Sequence, residues 1–212
     1  MFNRRNEFVV PSLGDVRKRA QILIIDDQEW PHQRQLEVDH FHVTRWFDVE
    51  DTDSLTDGSY ALVLLDINGV GMRHSPERQG IGILDHIKKS NPAQVVIVYS
   101  ANPQGVKDAM TLAKADAVMD KASSYFEFRE QIDTLLMRRA TPDHFIASMN
   151  LGLGADAAKA PKAVPLALKA LRTGNIGPLD SYLSKTLGNE HVREVAAFVI
   201  SVGIKVLKDS IA

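Results

Sequence analysis

The stretch ALVLLD at residues 61–66 decides the architecture: a run of apolar residues, rich in Leu and Val, stops abruptly at a carboxylate. A continuous apolar run too short for a helix suits a strand covered on both faces, the condition of a parallel sheet flanked by helices. The pattern recurs on either side. Upstream, QILII at 21–25 ends in Asp26-Asp27; downstream, VVIVY at 95–99 ends in Ser100, and a weaker run at 117–119 ends in Asp120-Lys121. A fifth candidate strand, His42–Trp46, lies between the first two.

Segments of helical spacing separate these runs. Ile81, Leu84 and Ile87 mark a helix over about 80–90, and Val106, Met110 and Leu112 mark one over about 103–114. Ser124 and Glu127 form a capping-box pattern ahead of Phe128, Ile132 and Leu135, which recur on one helical face. Alternating strands and helices joined by right-handed crossovers predict an α/β, doubly wound, flavodoxin-like domain with a five-stranded parallel sheet over residues 21–140.

Residues 1–20, with Arg4, Arg5, Arg17, Lys18 and Arg19 against Glu7 and Asp15, read as a polar N-terminal extension. After Ala140 the α/β pattern stops. The Ala/Gly-rich stretch LGLGADAAKAPK at 151–162 is poorly periodic and places a linker over 141–162. Residues 163–212 then read as a small all-α region. Its helices cover about 163–173, ending at Gly174; a segment with Pro178 in its first turn; and a segment capped by Asn189 and running to about 210. In the last of them Val192, Val195, Val199, Val202 and Val206 form a seam, with Phe198, Ile200, Ile204, Leu207 and Ile211 on other sides. A helix apolar almost all round needs cover on more than one face. Its own region, the α/β domain, a second copy of the chain or a partner-binding groove would supply it, so a homodimer is one expectation.

The composition excludes several classes. With 44% hydrophobic and 25% charged residues the chain reads as an ordinary globular protein, and a formal net charge of -2 argues against a nucleic-acid-coating surface. No segment clusters basic and amide side chains as a recognition helix would, so nucleic acid is not indicated. The lack of cysteine removes disulfides, thiolate metal sites and thiol nucleophiles. The longest apolar run, Val195–Ile204, is about half the ~20 residues of a membrane span, so no membrane insertion is expected. The opening MFNRRNEFVV does not resemble a signal peptide, and a cytoplasmic location is the expectation.

Every candidate reactive side chain sits where an apolar run stops. Ligands of open α/β sheets bind outside the carboxyl ends of the strands, so Asp26, Asp27, Asp66, Ser100 and Lys121 are expected to converge on one rim. Gathered carboxylates repel one another and do not all ionise without a counter-ion. A hard divalent cation such as Mg²⁺, with its preference for oxygen ligands, answers that need and bridges to phosphate. Lys121 adds a point charge for a phosphoryl oxygen and Ser100 a hydroxyl donor. The set fits in-line phosphoryl transfer to a carboxylate. Helix N-capping is the competing explanation of the aspartates, and it leaves Lys121 and Ser100 without a role. His32, His40 and His42, in a polar stretch with no carboxylate arrangement, read as surface residues.

On these residues the sequence resembles the receiver domains of two-component response regulators over about 21–138: an acidic pair after the first strand, Asp66 after the third, Ser100 after the fourth and Lys121 after the fifth. The resemblance implies that Asp66 is the phosphoacceptor, and that Asp27, Asp66 and the backbone carbonyl of Asn68 ligate Mg²⁺, with Asp26 acting through water. It makes Ser100 the switch hydroxyl and Lys121 the ion-pair partner of the phosphate. It implies a histidine kinase or phosphotransfer protein as donor, and a stoichiometric phosphoacceptor with self-catalysed transfer rather than an enzyme that turns over.

The sequence also departs from that family. Ala122 stands where proline usually follows the lysine, and Val118 where an aromatic commonly rotates on activation. The stretch between Asp27 and His42, with Trp30-Pro31, leaves room for only a short first helix, and the second, near Val49–Leu55, is brief. The loop Gly69–Gln79 is long, and would cover the acyl phosphate, bring Arg73 or Arg78 near it, meet a partner, or simply be solvated. Two other functions compete. Asp66-Ile67-Asn68-Gly69-Val70 also resembles the nucleophile motif of haloacid-dehalogenase-like phosphatases, although Asn68 stands where that family has a second Asp. A receiver-like interaction module without phosphorylation is the third reading.

Overall fold

The computed structural model describes residues 8–209, which divide into two compact units. Leu13–Ser90 with Gln94–Met137 form an α/β unit; Asn91–Ala93 and residues 138–209, with residues 8–12, form a helical one.

The α/β unit carries five strands: β1 (Gln21–Ile25), β2 (His42–Trp46), β3 (Leu62–Asp66), β4 (Val95–Ser100) and β5 (Ala117–Asp120). All pair in parallel in the order β2-β1-β3-β4-β5, the flavodoxin-like doubly wound order. Side-chain alternation explains why the runs are apolar throughout. Ile22, Ile24, Leu62, Leu64, Ile97 and Tyr99 face one layer, with Phe128, Ile132 and Leu135. Leu23, Ile25, Val63, Leu65, Val96 and Val98 face the other, with Ile83, Leu84 and Ile87. Those last three belong to α3 (Gln79–Ser90), and Phe128, Ile132 and Leu135 to α5 (Tyr125–Arg139). The capping box at the start of α5 forms: the Ser124 amide and hydroxyl both donate to the Glu127 carboxylate, at 2.7 and 2.8 Å.

Register brings the strand ends level. Ile25 pairs with Leu65, Asp66 with Tyr99, and Ser100 with Asp120. The Lys121 amide then donates to the Ser100 carbonyl at 2.9 Å, so residues from four separate runs reach the same rim.

Several expectations need correction. Within the polar extension, Leu13–Arg19 is a helix, α1, of the α/β unit; Val16 joins a core layer and the Arg17 guanidinium bonds Asp133 through two nitrogens, at 2.8 and 2.5 Å. Two apolar residues, Leu13 and Val16, and an ion pair to a residue 116 positions away give too little local periodicity to read. Arg4, Arg5 and Glu7 lie outside the described residues, as does Ile211. The first helix after β1 is short as expected: α2 covers Gln33–Val38. No helix forms over Val49–Leu55; the Asp51 side chain accepts from the Asp53 and Ser54 amides, so side-chain turns replace the helical ladder. The helix expected over 103–114 splits into a 3₁₀ turn, Pro103–Gly105, and a single-turn α4, Ala109–Leu112. Asn102 caps the first and Asp108 the second, two local starts where apolar spacing suggested one helix.

The helical unit packs α6 (Pro142–Leu153), α7 (Ala163–Thr173), α8 (Gly177–Thr186) and α9 (Glu190–Asp209). The linker expected over 141–162 is therefore largely helical: α6 begins at Pro142, and a 3₁₀ segment, Gly154–Lys159, follows it. Phe145, Met149 and Leu153 recur every fourth residue and are buried, a stripe hidden in the sequence by the small residues after it. They meet Ala167 and Leu171 of α7, Leu179 and Leu183 of α8, and Ala196, Val199 and Ile200 of α9 in one core. Val195, Val199 and Val202 of the α9 seam are buried, and Val192 and Val206 pack at the core's margin.

Candidate functional site: an acidic rim with a shared lysine

Asp66 closes β3, and the loops after β1 and β5 bring Asp26, Asp27 and Lys121 to it. One carboxylate oxygen from each of Asp26, Asp27 and Asp66 lies within 4.8 Å of the others. Asp26 and Asp66 are 2% and 1% exposed, whereas Asp27 is open to solvent. The Lys121 ammonium sits 2.5 Å from Asp66 Oδ2 and 3.2 Å from Asp26 Oδ2, one cation serving two buried anions. Burial pushes the Asp66 carboxyl above the usual carboxylate range, while Lys121 and the Asn68 amide pull it back. Burial works against the Lys121 charge, but Asp66 and Asp26 outweigh it and hold the ammonium above its ordinary value.

Neighbouring groups fix the rest. The Gln28 amide donates to Asp26 Oδ1 at 2.9 Å. The Asn68 amide donates to Asp66 Oδ1 at 3.2 Å, and its side chain reaches the Ser100 hydroxyl at 3.3 Å. Ser100 also accepts from the Asn102 amide, so its oxygen is held between β3 and the chain leaving β4. Gly69, at φ +80°, lets the backbone pass against Asp27: a Cβ there would stand 2.4 Å from Asp27 Oδ2. The donor set is all oxygen and includes a solvent-facing acid, which fits a hard divalent cation better than a softer metal.

The loop Gly69–Gln79 is folded on itself and tied at three places. Asp48 accepts from the Gly71 amide, and Gln79 Oε1 accepts from the Gly69 amide at 2.9 Å. Arg78 donates to Asp85 at 3.1 Å, Asp108 at 2.7 Å and the Thr111 hydroxyl at 3.0 Å. Arg78 is thus engaged with α3 and α4, and Arg73 is exposed. A cleft of about 520 Å³ lies between this loop and the chain after β4, lined by Asn68, Arg78, Gln79, Ser100, Asn102 and Lys107 among others. Val118 is 42% exposed, and Ala122 follows Lys121 through a trans bond, its amide donating to Asp120 at 2.8 Å. His32 is half-buried, packed edge-on to Trp30 and bonded to the Ser123 carbonyl, so the surface reading fails for it.

Sequence reasoning missed Tyr99. Read only as the last apolar residue of β4, it is fully buried, and its hydroxyl donates to Asp26 Oδ2 at 2.9 Å. Burial and the adjacent Asp26 charge push the phenol well above its usual value, so it remains a donor. A phenol at the end of an aliphatic run was the available signal, since a buried tyrosine hydroxyl usually has a partner.

The rim, the strand order and the level strand ends make the architecture plain. The α/β unit is a doubly wound parallel sheet in the flavodoxin-like order. No family model and no curated protein matches the chain. Solved structures give distant likenesses. A CheY-like receiver domain protein from Methanospirillum hungatei JF-1 is 20% identical, over 57% of this chain and 95% of that one, with a TM-score of 0.46. Full-length FixJ from B. japonicum is 14% identical, over 91% and 98%, with a TM-score of 0.47. NtrX from Brucella abortus in complex with ADP is 20% identical, over 72% of this chain, with a TM-score of 0.46; the match spans 33% of that protein. Likenesses this distant add no weight, and the fold rests on the sheet itself. Among the described residues no helix is long and apolar enough to cross a membrane.

Proposed function

We propose that this chain is a phosphorylation-dependent signalling switch of the two-component type, which takes a phosphoryl group on Asp66 from a histidine kinase or phosphotransfer protein. The observation that carries this reading is the Lys121 ammonium, 2.5 Å from Asp66 Oδ2 within a set of three carboxylates. An Asp66 oxygen attacks phosphorus in line; the bond from phosphorus to the donor's imidazole nitrogen breaks as the bond to Asp66 forms, and the nitrogen leaves with the electron pair. Lys121 is placed to pair with a phosphoryl oxygen, and Ser100 to donate its hydroxyl to another. Asp27, Asp66 and the Asn68 carbonyl would hold Mg²⁺ directly and Asp26 through water, and the ion would supply charge neutralisation across the incoming phosphate. The transfer is stoichiometric, and the chain does not turn over. A cytoplasmic setting follows from the donor class.

Incubation with a small phosphodonor and Mg²⁺ is expected to add one phosphoryl mass to the intact protein, and Asp66→Asn to abolish the gain. Steady release of phosphate from a monoester would instead favour the phosphatase reading. Mass in solution, measured with and without the phosphoryl group, tests whether occupancy promotes a homodimer.

A further inference from the structure

The buried Asp26 carboxylate has three donors, and they are not equivalent. The Gln28 amide holds Oδ1 and the Tyr99 hydroxyl holds Oδ2, both at 2.9 Å. The third, Lys121, is shared with Asp66 and stands nearer to Asp66. With 2% exposure, Asp26 has no access to bulk water to replace a lost partner. A buried charged oxygen left without a donor costs more than an average hydrogen bond contributes.

We propose that Tyr99 is a positioning residue that keeps Asp26 satisfied and thereby frees Lys121 to move onto the phosphoryl group. This inference rests on the function proposed above and adds a residue for which the receiver resemblance provides no role. When Asp66 becomes an acyl phosphate, its carboxylate charge moves out to the phosphoryl oxygens, and the ammonium follows. Asp26 then relies on the two donors that stay, one per oxygen. Without the Tyr99 hydroxyl, Lys121 is the one protein donor near Oδ2 among the described residues, and Asp26 retains the ammonium against the phosphoryl group.

The surroundings suit this task. The Tyr99 ring is set edge-on against Phe128 at 6.0 Å and tilted against Trp30 at 6.3 Å, so the hydroxyl has little freedom. The Lys121 ammonium also lies 5.5 Å from the centre of the same ring. Tyr99→Phe therefore keeps the ring, its packing and that cation–π contact, and removes only the hydroxyl. Tyr99 lies next to Ser100 on β4, so the strand that presents the switch hydroxyl also holds Asp26.

The test is a double-mutant cycle of wild type, Tyr99→Phe, Asp26→Asn and the pair, titrated calorimetrically with beryllofluoride at saturating Mg²⁺ and, separately, with Mg²⁺ alone. Tyr99→Phe is expected to weaken beryllofluoride binding about tenfold, while the Mg²⁺ constant stays within about twofold. In the Asp26→Asn background, where no buried charge needs the donor, the same change is expected to have no effect beyond about twofold. Equal weakening in both backgrounds, no weakening, or parallel loss of Mg²⁺ binding would overturn the inference and leave the proposed function standing. A wild-type chain that binds Mg²⁺ but no beryllofluoride would overturn both.

Discussion

The α/β unit takes three carboxylates, Asp26, Asp66 and Asp85, out of water, whereas the helical unit buries none among its described residues. Its core is Phe145, Met149 and a set of Leu, Val, Ile and Ala side chains from four helices. Buried charge is expensive, and each of the three acids in the α/β unit has cationic partners: Lys121 for Asp26 and Asp66, and Arg78, Lys89 and Lys114 for Asp85. The contrast teaches that one unit is organised around anions it must neutralise, whereas the other buries a cation, Arg139, and the polar side chains of Asn91, His144 and Ser148 beside its apolar core.

Substitutions that sharpen this contrast differ in size. The largest effect is expected from Phe145→Ala, which removes a fully buried ring from the helical core. It should cost about 3–5 kcal/mol. The loss should lower the midpoint of urea unfolding followed by the far-ultraviolet helical signal, and an unchanged midpoint would contradict the burial of this ring.

Lys121→Met should cost about 2 kcal/mol, less than for a fully buried pair because the lysine side chain is 28% exposed. Two buried carboxylates then lack their cation, and added Mg²⁺ should recover part of the loss in the same unfolding assay. Failure of Mg²⁺ to stabilise this variant would break the view that the rim is a site for a cation.

The smallest effect expected is that of Asp85→Asn. Burial favours the neutral Asp85 carboxyl, but Lys114, Lys89 and Arg78 outweigh it and hold it far below the usual carboxylate range. A depressed folded-state pKa contributes stability that is fully present above the ordinary carboxylate range and is lost as the pH falls from there through the lower folded-state value. The three cations are substantially exposed, so the difference from wild type should be only about 1 kcal/mol at neutral pH. It should shrink steadily below about pH 4, and a difference independent of pH would refute this account.

How much of this was legible depends on the range over which each signal acts. The strands were, because burial on both faces imposes an unbroken apolar run that the chain carries locally. The placing of Asp26, Asp27, Asp66, Ser100 and Lys121 at their ends was legible for the same reason. The capping box at Ser124 and Glu127 involves residues three apart and could be read directly. α1 could not, since its support comes from Asp133, nor could α6, whose stripe of Phe145, Met149 and Leu153 runs into small residues that mimic a linker.

The sequence by itself determined that acids, a hydroxyl and a lysine would stand at the ends of parallel strands, because residue alternation and strand length are written within a few positions. Only the tertiary structure decided which of them share a proton-rich partner: that Lys121 divides itself between Asp66 and Asp26, and that Tyr99 holds Asp26 from beneath. Those contacts join residues 55 to 95 positions apart, and their geometry depends on strand register and on the depth at which each side chain is buried.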